Sequence, residues 1–156
     1  MKGAETAATP EERAWFEADR RLREKLTIRD IGIWSHYVGD ASQPLHVSIH
    51  YNGWGDYPNP HWYTVRKIHA YFEGEFVKRN LARSAVAAEV GPHRSCCRSI
   101  DEETRALLLA SLAQVGPLYA LEKEGGFKRG DERGVAFATK RLAAGAAAVR
   151  DMIVAA

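Results

Sequence analysis

Histidines and carboxylates at helical spacing constrain the fold of this chain more than any other feature. His36 and Asp40 are four residues apart, as are His69 and Glu73, and His46 follows the first pair. Residues i and i+4 lie on one face of an α-helix. A histidine with an acidic residue at that spacing is a common way for a helix to present nitrogen and oxygen ligands to zinc. The pattern therefore predicts two helices that bind metal.

Length and composition indicate an ordinary globular protein. The chain has 156 residues, of which 46% are hydrophobic and 27% charged, and we expect a single domain over residues 1–156. A net charge of +2 does not by itself indicate nucleic-acid binding. The sequence contains no apolar run of the roughly 20 residues that a membrane span needs. Residues 1–9 lack the apolar centre of a signal peptide, so either the protein is cytoplasmic or the numbering begins downstream of one.

The two cysteines, Cys96 and Cys97, are adjacent in the sequence. Neighbouring Cα atoms lie about 3.8 Å apart, which is below the usual disulfide range of about 4.4–6.8 Å. A bridge between them is therefore disfavoured. His93 with these two cysteines is a second combination that binds metal in principle, but a reduced pair in a loop is the preferred interpretation.

Apolar periodicity predicts an all-α fold with no strand of useful length. A stretch dense in glycine, proline and aromatic residues, 51–63, is expected to be a loop. Gly116-Pro117 should break or kink the helix that begins at Asp101, and Gly125-Gly126 should end it. Val65, Ile68, Phe72 and Phe76 should form the apolar stripe of the helix over 64–80. The expected helices cover about 10–25, 27–41, 64–80, 81–90, 101–124 and 132–154.

Side-chain chemistry divides the five candidate ligands into two groups. His46, His69 and Glu73 would supply two nitrogens and one oxygen and leave a position open for water, as in catalytic zinc sites. His36 and Asp40 would form half of a second site. Neighbouring zinc ions can together activate a water and stabilise a leaving alkoxide.

A non-metal interpretation stays open at this point. A buried histidine is often a hydrogen-bonded core residue, and a single His-x-x-x-Asp pair arises readily by chance. Asp40 is also suited to tying the end of its helix to the next loop. Glu73 has Arg66 and Lys78 as alternative partners.

The residues around the ligands resemble a known family. The segment His36-Tyr-Val-Gly-Asp40-Ala-Ser-Gln-Pro-Leu-His46, followed by His69-Ala-Tyr-Phe-Glu73, is similar to the signature of the zinc-dependent phospholipase C and single-strand nuclease superfamily. The match is specific over residues 31–76 and extends elsewhere only as helical packing. The gap from His46 to His69 and the loop Tyr51–Gly55 look more like the nuclease branch.

The resemblance implies a secreted or periplasmic helical phosphoesterase with up to three zinc ions in a cleft. By position, His36 and Asp40 would bind one zinc, and Asp40 would also bridge to a neighbouring zinc as a catalytic residue. His46, His69 and Glu73 would hold the more separate zinc. The substrate would be single-stranded DNA or RNA, with phospholipid the less favoured alternative.

Members of that family also use the amino group and carbonyl of an N-terminal Trp, a His near it, and an Asp and a His from their first half, and this chain has no histidine before His36. The sequence is therefore expected to represent an N-terminally truncated phospholipase C/nuclease-like bundle. We expect one complete site, His46/His69/Glu73, to bind about one zinc, and hydrolysis to be impaired.

Aromatic residues in the 51–63 loop are candidates for substrate contact. Trp54, Tyr57 and Trp62 can stack on bases if they are exposed, whereas the commoner role of such residues is to seal a loop onto the core. Three functional hypotheses stay open: a phosphodiester hydrolase, a non-catalytic helical protein stapled by zinc, and a helical interaction module without metal. The third is supported by a packing seam on the last helix, where apolar and small residues recur at spacings of three and four: Val135, Ala138, Leu142, Gly145, Val149 and Met152.

Overall fold

The computed structural model describes residues 2–93, 99–128 and 130–155, and in these ranges the protein is helical with no β-strand. The chain divides into two compact units, Met1–Tyr37 and Val38–Ala156. The prediction of an all-α fold is confirmed. The single-domain organisation expected from length stays a prediction.

The first unit contains α1 (Lys2–Glu5) and most of α2 (Pro10–Ala41), a helix of 32 residues. The prediction of a separate helix that begins at Thr27 is wrong, because α2 continues through that position. Three i, i+4 ion pairs, Glu17–Arg21, Asp19–Arg23 and Arg20–Glu24, precede Thr27 and favour the helix. Thr27 and Ile28 lower helix propensity by only a few tenths of a kcal/mol each, which is too little to end it.

Apolar side chains of α2 remain exposed. Trp15, Leu22 and Ile28 expose 62%, 56% and 72% of their surface. Val38 is the buried residue of α2, and it belongs to the second unit. The described residues of the first unit therefore form no buried core.

The second unit packs several short helices around an aromatic core. After the last turn of α2 come a 3-10 turn (Pro44–Val47), a π-helix (Tyr71–Phe76), α3 (Val77–Asn80), α4 (Arg83–Glu89), α5 (Ile100–Leu112), α6 (Val115–Lys123) and α7 (Glu132–Ala155). The core consists of Leu45, Ile68, Phe72, Phe76, Val115, Leu118, Tyr119, Phe127 and Ala138. Ile68, Phe72 and Phe76 are buried as predicted, whereas Val65 is 66% exposed.

The helix predicted from Thr64 begins at His69 instead. The carbonyl of Thr64 accepts a hydrogen bond from the Trp54 N–H at 2.8 Å, so this segment pairs with the preceding loop. Gly116 and Pro117 lie in the first turn of α6, and the helical break comes earlier, between Leu112 and Val115. Proline fits a first turn because its missing N–H would have no helical partner there.

The last helix covers Glu132–Ala155, close to its predicted range. Gly134, Ala138, Gly145 and Met152 are buried along it, while Leu142 of the predicted seam is 41% exposed. No helix in the described part of the chain has both the length and the apolar character needed to cross a membrane.

Candidate metal centre

His46 lies on the 3-10 turn that follows α2. Gln43 caps this turn, its side-chain Oε1 accepting a hydrogen bond from the Leu45 N–H at 2.8 Å, and Pro44 occupies the first helical position. Pro44 and Leu45 are both buried. Because the two residues before His46 are fixed in the core, the imidazole projects from an anchored turn.

His69 and Glu73 are carried by the helix that runs into the π-helical segment. Ile68 and Phe72 are 7% and 3% exposed and fix this helix to the core. The backbone N–H of His69, which has no partner within the helix, donates to Asn52 Oδ1 at 3.2 Å. Segments of π-helix occur frequently at functional sites, and Glu73 lies in this one.

Three ligand atoms converge. The Nε2 atoms of His46 and His69 are 2.9 Å apart, and Glu73 Oε2 lies 3.2 Å from the first and 3.1 Å from the second. Ligands bound to zinc at about 2.0–2.1 Å in tetrahedral geometry are separated by about 3.3 Å. The observed triangle is close to one face of such a tetrahedron. Among the described residues, His46, His69 and Glu73 form the group suited to holding a metal ion.

The hydrogen bonds of His69 determine which of its ring nitrogens is available to bind a metal ion. Its Nδ1 lies 2.8 Å from the carbonyl oxygen of Tyr51. A carbonyl only accepts, so Nδ1 carries the hydrogen, and the lone pair of the neutral ring is on Nε2, facing the other two ligands. Histidines that bind metals almost always donate their second N–H in this way.

Glu73 has an additional contact that orients its carboxylate. The Gln43 side-chain amide donates to Oε2 at 3.3 Å. Among the described residues, the ion-pair partners of Glu73 are His46 and His69, and not the alternative partners Arg66 and Lys78. The side chains of His46, His69 and Glu73 are 27%, 19% and 42% exposed. Water can therefore reach the fourth position of the site.

Asp40 lies beside the other face of His46. Its Oδ1 is 3.5 Å from His46 Nδ1, the ring nitrogen opposite the converging Nε2. This places the Asp40 carboxylate next to a ligand rather than within the triangle itself. His36 belongs to the first unit, where its ring contacts that of Tyr37 edge-on. Of the five predicted ligands, three are brought together and Asp40 adjoins them.

The three aromatic residues predicted to contact substrate have different environments. Trp54 stacks on His50 with ring centroids 3.7 Å apart, and its indole N–H donates to the Pro58 carbonyl at 2.9 Å. Trp54 therefore packs the loop onto the core, which is the alternative to substrate contact given in the sequence analysis. Tyr57 is 50% exposed and Trp62 is 81% exposed, so both remain available for contact.

Three residues that support the site, Gln43, Tyr51 and Asn52, enter the sequence analysis only as part of the family resemblance, which assigns them no role in the site. The capping position of Gln43 before Pro44 is visible in the sequence, but its second contact with Glu73 joins residues 30 positions apart. Tyr51 acts through its carbonyl, which every residue has. Asn52 precedes a glycine in the predicted 51–63 loop, and this is the only signal that it offers.

His93 contacts Asp151 at 2.9 Å between Nδ1 and Oδ1. The other metal site considered from the sequence, His93 with Cys96 and Cys97, includes residues outside the described ranges.

Comparison with family models, curated proteins and solved structures finds no match to this chain.

Proposed function

We propose that this protein is a zinc-dependent hydrolase of phosphodiester bonds in single-stranded nucleic acid. The observation that carries the proposal is the triangle of His46 Nε2, His69 Nε2 and Glu73 Oε2, which is open to solvent on one side. Two nitrogens and one carboxylate oxygen with an open position form the ligand set of catalytic zinc sites, whereas closed structural sites use four protein ligands.

A bound zinc supplies Lewis-acid stabilisation of a phosphoryl oxygen and a water of lowered pKa. His46, His69 and Glu73 would hold this metal ion. Zinc bound by one carboxylate and two neutral imidazoles would keep one net positive charge on the metal and these three ligands, which would favour an anionic phosphodiester at the open position. Asp40, whose Oδ1 lies 3.5 Å from His46 Nδ1, adjoins this ligand and is proposed as the catalytic carboxylate that the resemblance implies.

Trp62 supports nucleic acid over phospholipid as the substrate. Its backbone is in the left-handed region with φ 57°, which is uncommon for a bulky residue. The Asn59 side chain holds it there by accepting from the Tyr63 N–H and donating to the Tyr63 carbonyl, both at 2.8 Å. Strained backbone held in this way clusters at ligand-binding sites. An exposed indole on a fixed loop suits base stacking.

A zinc-stapled protein without catalytic activity is the second candidate. It is favoured by one observation: the ligand cluster accommodates one metal ion, whereas the resemblance implies up to three. Under this alternative, zinc joins the turn bearing His46 to the helix bearing His69 and adds stability only.

Hydrolysis of a single-stranded oligonucleotide by the zinc-loaded protein tests the proposal. We expect wild type to cleave it and Asp40→Asn to lose measurable activity while retaining its fold. Asp30→Asn is the matched control, since Asp30 is on the same helix in an exposed pair with Arg29. Zinc binding without cleavage by wild type would favour the staple, and a protein that binds no zinc would exclude both candidates. Vesicles of phosphatidylcholine provide the lipid substrate for comparison.

A further inference from the structure

Tyr119 of α6 is one of the largest fully buried side chains in the second unit. Its ring packs edge-on against Trp54 with centroids 5.3 Å apart and stacks against Tyr63 at 5.7 Å. These contacts place the phenol beneath the loop that follows the His46 turn. Its burial raises the pKa of the Tyr119 hydroxyl above the ordinary value, so the hydroxyl keeps its hydrogen at neutral pH.

The hydroxyl makes two hydrogen bonds to this loop. It donates to the His50 carbonyl at 2.6 Å and accepts from the Gly53 N–H at 2.9 Å. Donor and acceptor are therefore both satisfied by backbone groups three residues apart. Gly53 has φ 104°, and a Cβ there would lie 2.6 Å from the Val65 carbonyl oxygen, so the loop path at this point also requires glycine.

The two residues between these anchor points are the ones that bind His69. The Tyr51 carbonyl accepts from His69 Nδ1–H at 2.8 Å, and Asn52 Oδ1 accepts from the His69 backbone N–H at 3.2 Å. Tyr119 thus holds both ends of segment 50–53, and the middle of the segment sets the ring orientation of His69.

We infer that Tyr119 is a positioning residue for the metal site, acting on His69 through the backbone of segment 50–53. This inference rests on the proposed zinc site, because its consequence is a change in zinc affinity. Groups that orient metal ligands typically change metal affinity about 10–100-fold when removed. Tyr119 acts on His69 through segment 50–53 and not through a hydrogen bond of its own to that residue, so we expect an effect near the lower end of that range.

Tyr119→Phe tests the inference, because it removes both hydrogen bonds and keeps the ring. Tyr71→Phe is the matched control: it removes a 2.7 Å bond from a tyrosine hydroxyl to the Phe127 carbonyl in the same unit. Zinc affinity is measured by competition with a chromogenic chelator, and the geometry of the site by the visible spectrum of the cobalt-substituted protein. We expect Tyr119→Phe to bind zinc about tenfold more weakly with an altered cobalt spectrum. Tyr71→Phe should match wild type in both measurements.

Equal zinc affinity in wild type and Tyr119→Phe, or an equal loss of affinity in both variants, would overturn the inference.

A separate measurement distinguishes failure of this inference from failure of the zinc proposal. In the metal-free proteins, imidazole nitrogen NMR should show His69 with its hydrogen on Nδ1 in wild type and mixed tautomers in Tyr119→Phe. If wild type binds no zinc, the proposed function fails. The tautomer result then decides the inference: unchanged tautomers would overturn it and mixed ones would support it.

Discussion

The two units of this protein contain the candidate metal ligands in unequal number and in different surroundings: His36 belongs to the first unit, and the second contains Asp40, His46, His69 and Glu73. In the first unit, His36 lies on the part of α2 that ends at Tyr37, and none of the described residues of that part is buried. In the second, His46, His69 and Glu73 are each next to residues of the aromatic core, and their ligand atoms lie within 4.8 Å of one another. Helical spacing places two side chains on one face, whereas a metal site also needs long-range packing that brings separate elements together.

The largest difference between the units is expected in how substitution of a candidate ligand changes zinc affinity. His69→Ala and Glu73→Gln each remove one of three ligands and should weaken zinc binding by on the order of a hundredfold or more. His36→Ala should leave the tightly bound zinc in place. Chelator competition followed by metal analysis of the three variants measures this. If His36→Ala lost zinc as His69→Ala does, the distinction between the units would be wrong.

This division was partly predictable from the sequence. The grouping of His46, His69 and Glu73 followed from ligand chemistry and the family resemblance. The helical class followed from apolar periodicity, and α7 was predicted within a residue of its bounds. These features are local, or depend on residue types whose chemistry is specific.

The rest depended on contacts between residues distant in sequence. The helix of Glu73 begins at His69 because Thr64 pairs with Trp54, and nothing in the composition of 64–68 indicates this. Trp54 and Trp62 are equally plausible substrate contacts in the sequence, yet one is packed on His50 and the other is exposed. The continuity of α2 through Thr27 was missed because capping residue types also occur inside helices.

Substituting alanine for a glycine should have opposite effects on stability in the two units. A Cβ at Gly134 in α7 would clash with the Gly126 backbone and lie 2.9 Å from Phe76 Cζ, so Gly134→Ala should destabilise the protein by about 2 kcal/mol or more. Among the described residues, nothing lies within 4 Å of a Cβ at Gly32 in α2. Gly32→Ala should therefore stabilise its helix by about 0.5–1 kcal/mol.

Denaturant unfolding followed by far-ultraviolet circular dichroism measures both changes. Destabilisation by Gly32→Ala would show that the exposed face of α2 is covered in solution. A neutral effect of Gly134→Ala would contradict the close packing of α7 on the second unit.

An exposed tryptophan in each unit gives the next comparison. Trp62→Ala should weaken binding of a single-stranded oligonucleotide by about 1–3 kcal/mol, the contribution of one stacked base. Trp15 is 62% exposed on α2, and Trp15→Ala should leave that affinity unchanged. Fluorescence anisotropy with a labelled oligonucleotide, at a fixed salt concentration, measures both. Equal losses in the two variants would argue against a specific role for Trp62.

The smallest expected effect concerns pH. Burial raises the pKa of the Glu122 carboxyl above 4.5, with Arg66 and Lys128 opposing the shift. The neutral form is therefore favoured by folding. Its contribution to stability is complete below pH 4.5 and is lost as the pH rises through the folded-state pKa.

Glu122→Gln should accordingly stabilise the protein by less than about 1 kcal/mol near neutral pH, because solvent screens a partly exposed group, and should have no effect in acid. Glu24→Gln is the control from the first unit, since Glu24 is in an exposed pair with Arg20. Thermal unfolding as a function of pH measures the difference. A stabilisation that does not change with pH would contradict the assigned cause.

Zinc stoichiometry tests the central claim most directly. Purified protein is loaded with zinc, dialysed against metal-free buffer and analysed for metal and protein. A site formed by His46, His69 and Glu73 predicts one zinc per chain, lost in His69→Ala. A value near zero would contradict the metal site, and three zinc ions per chain would contradict its confinement to these three residues.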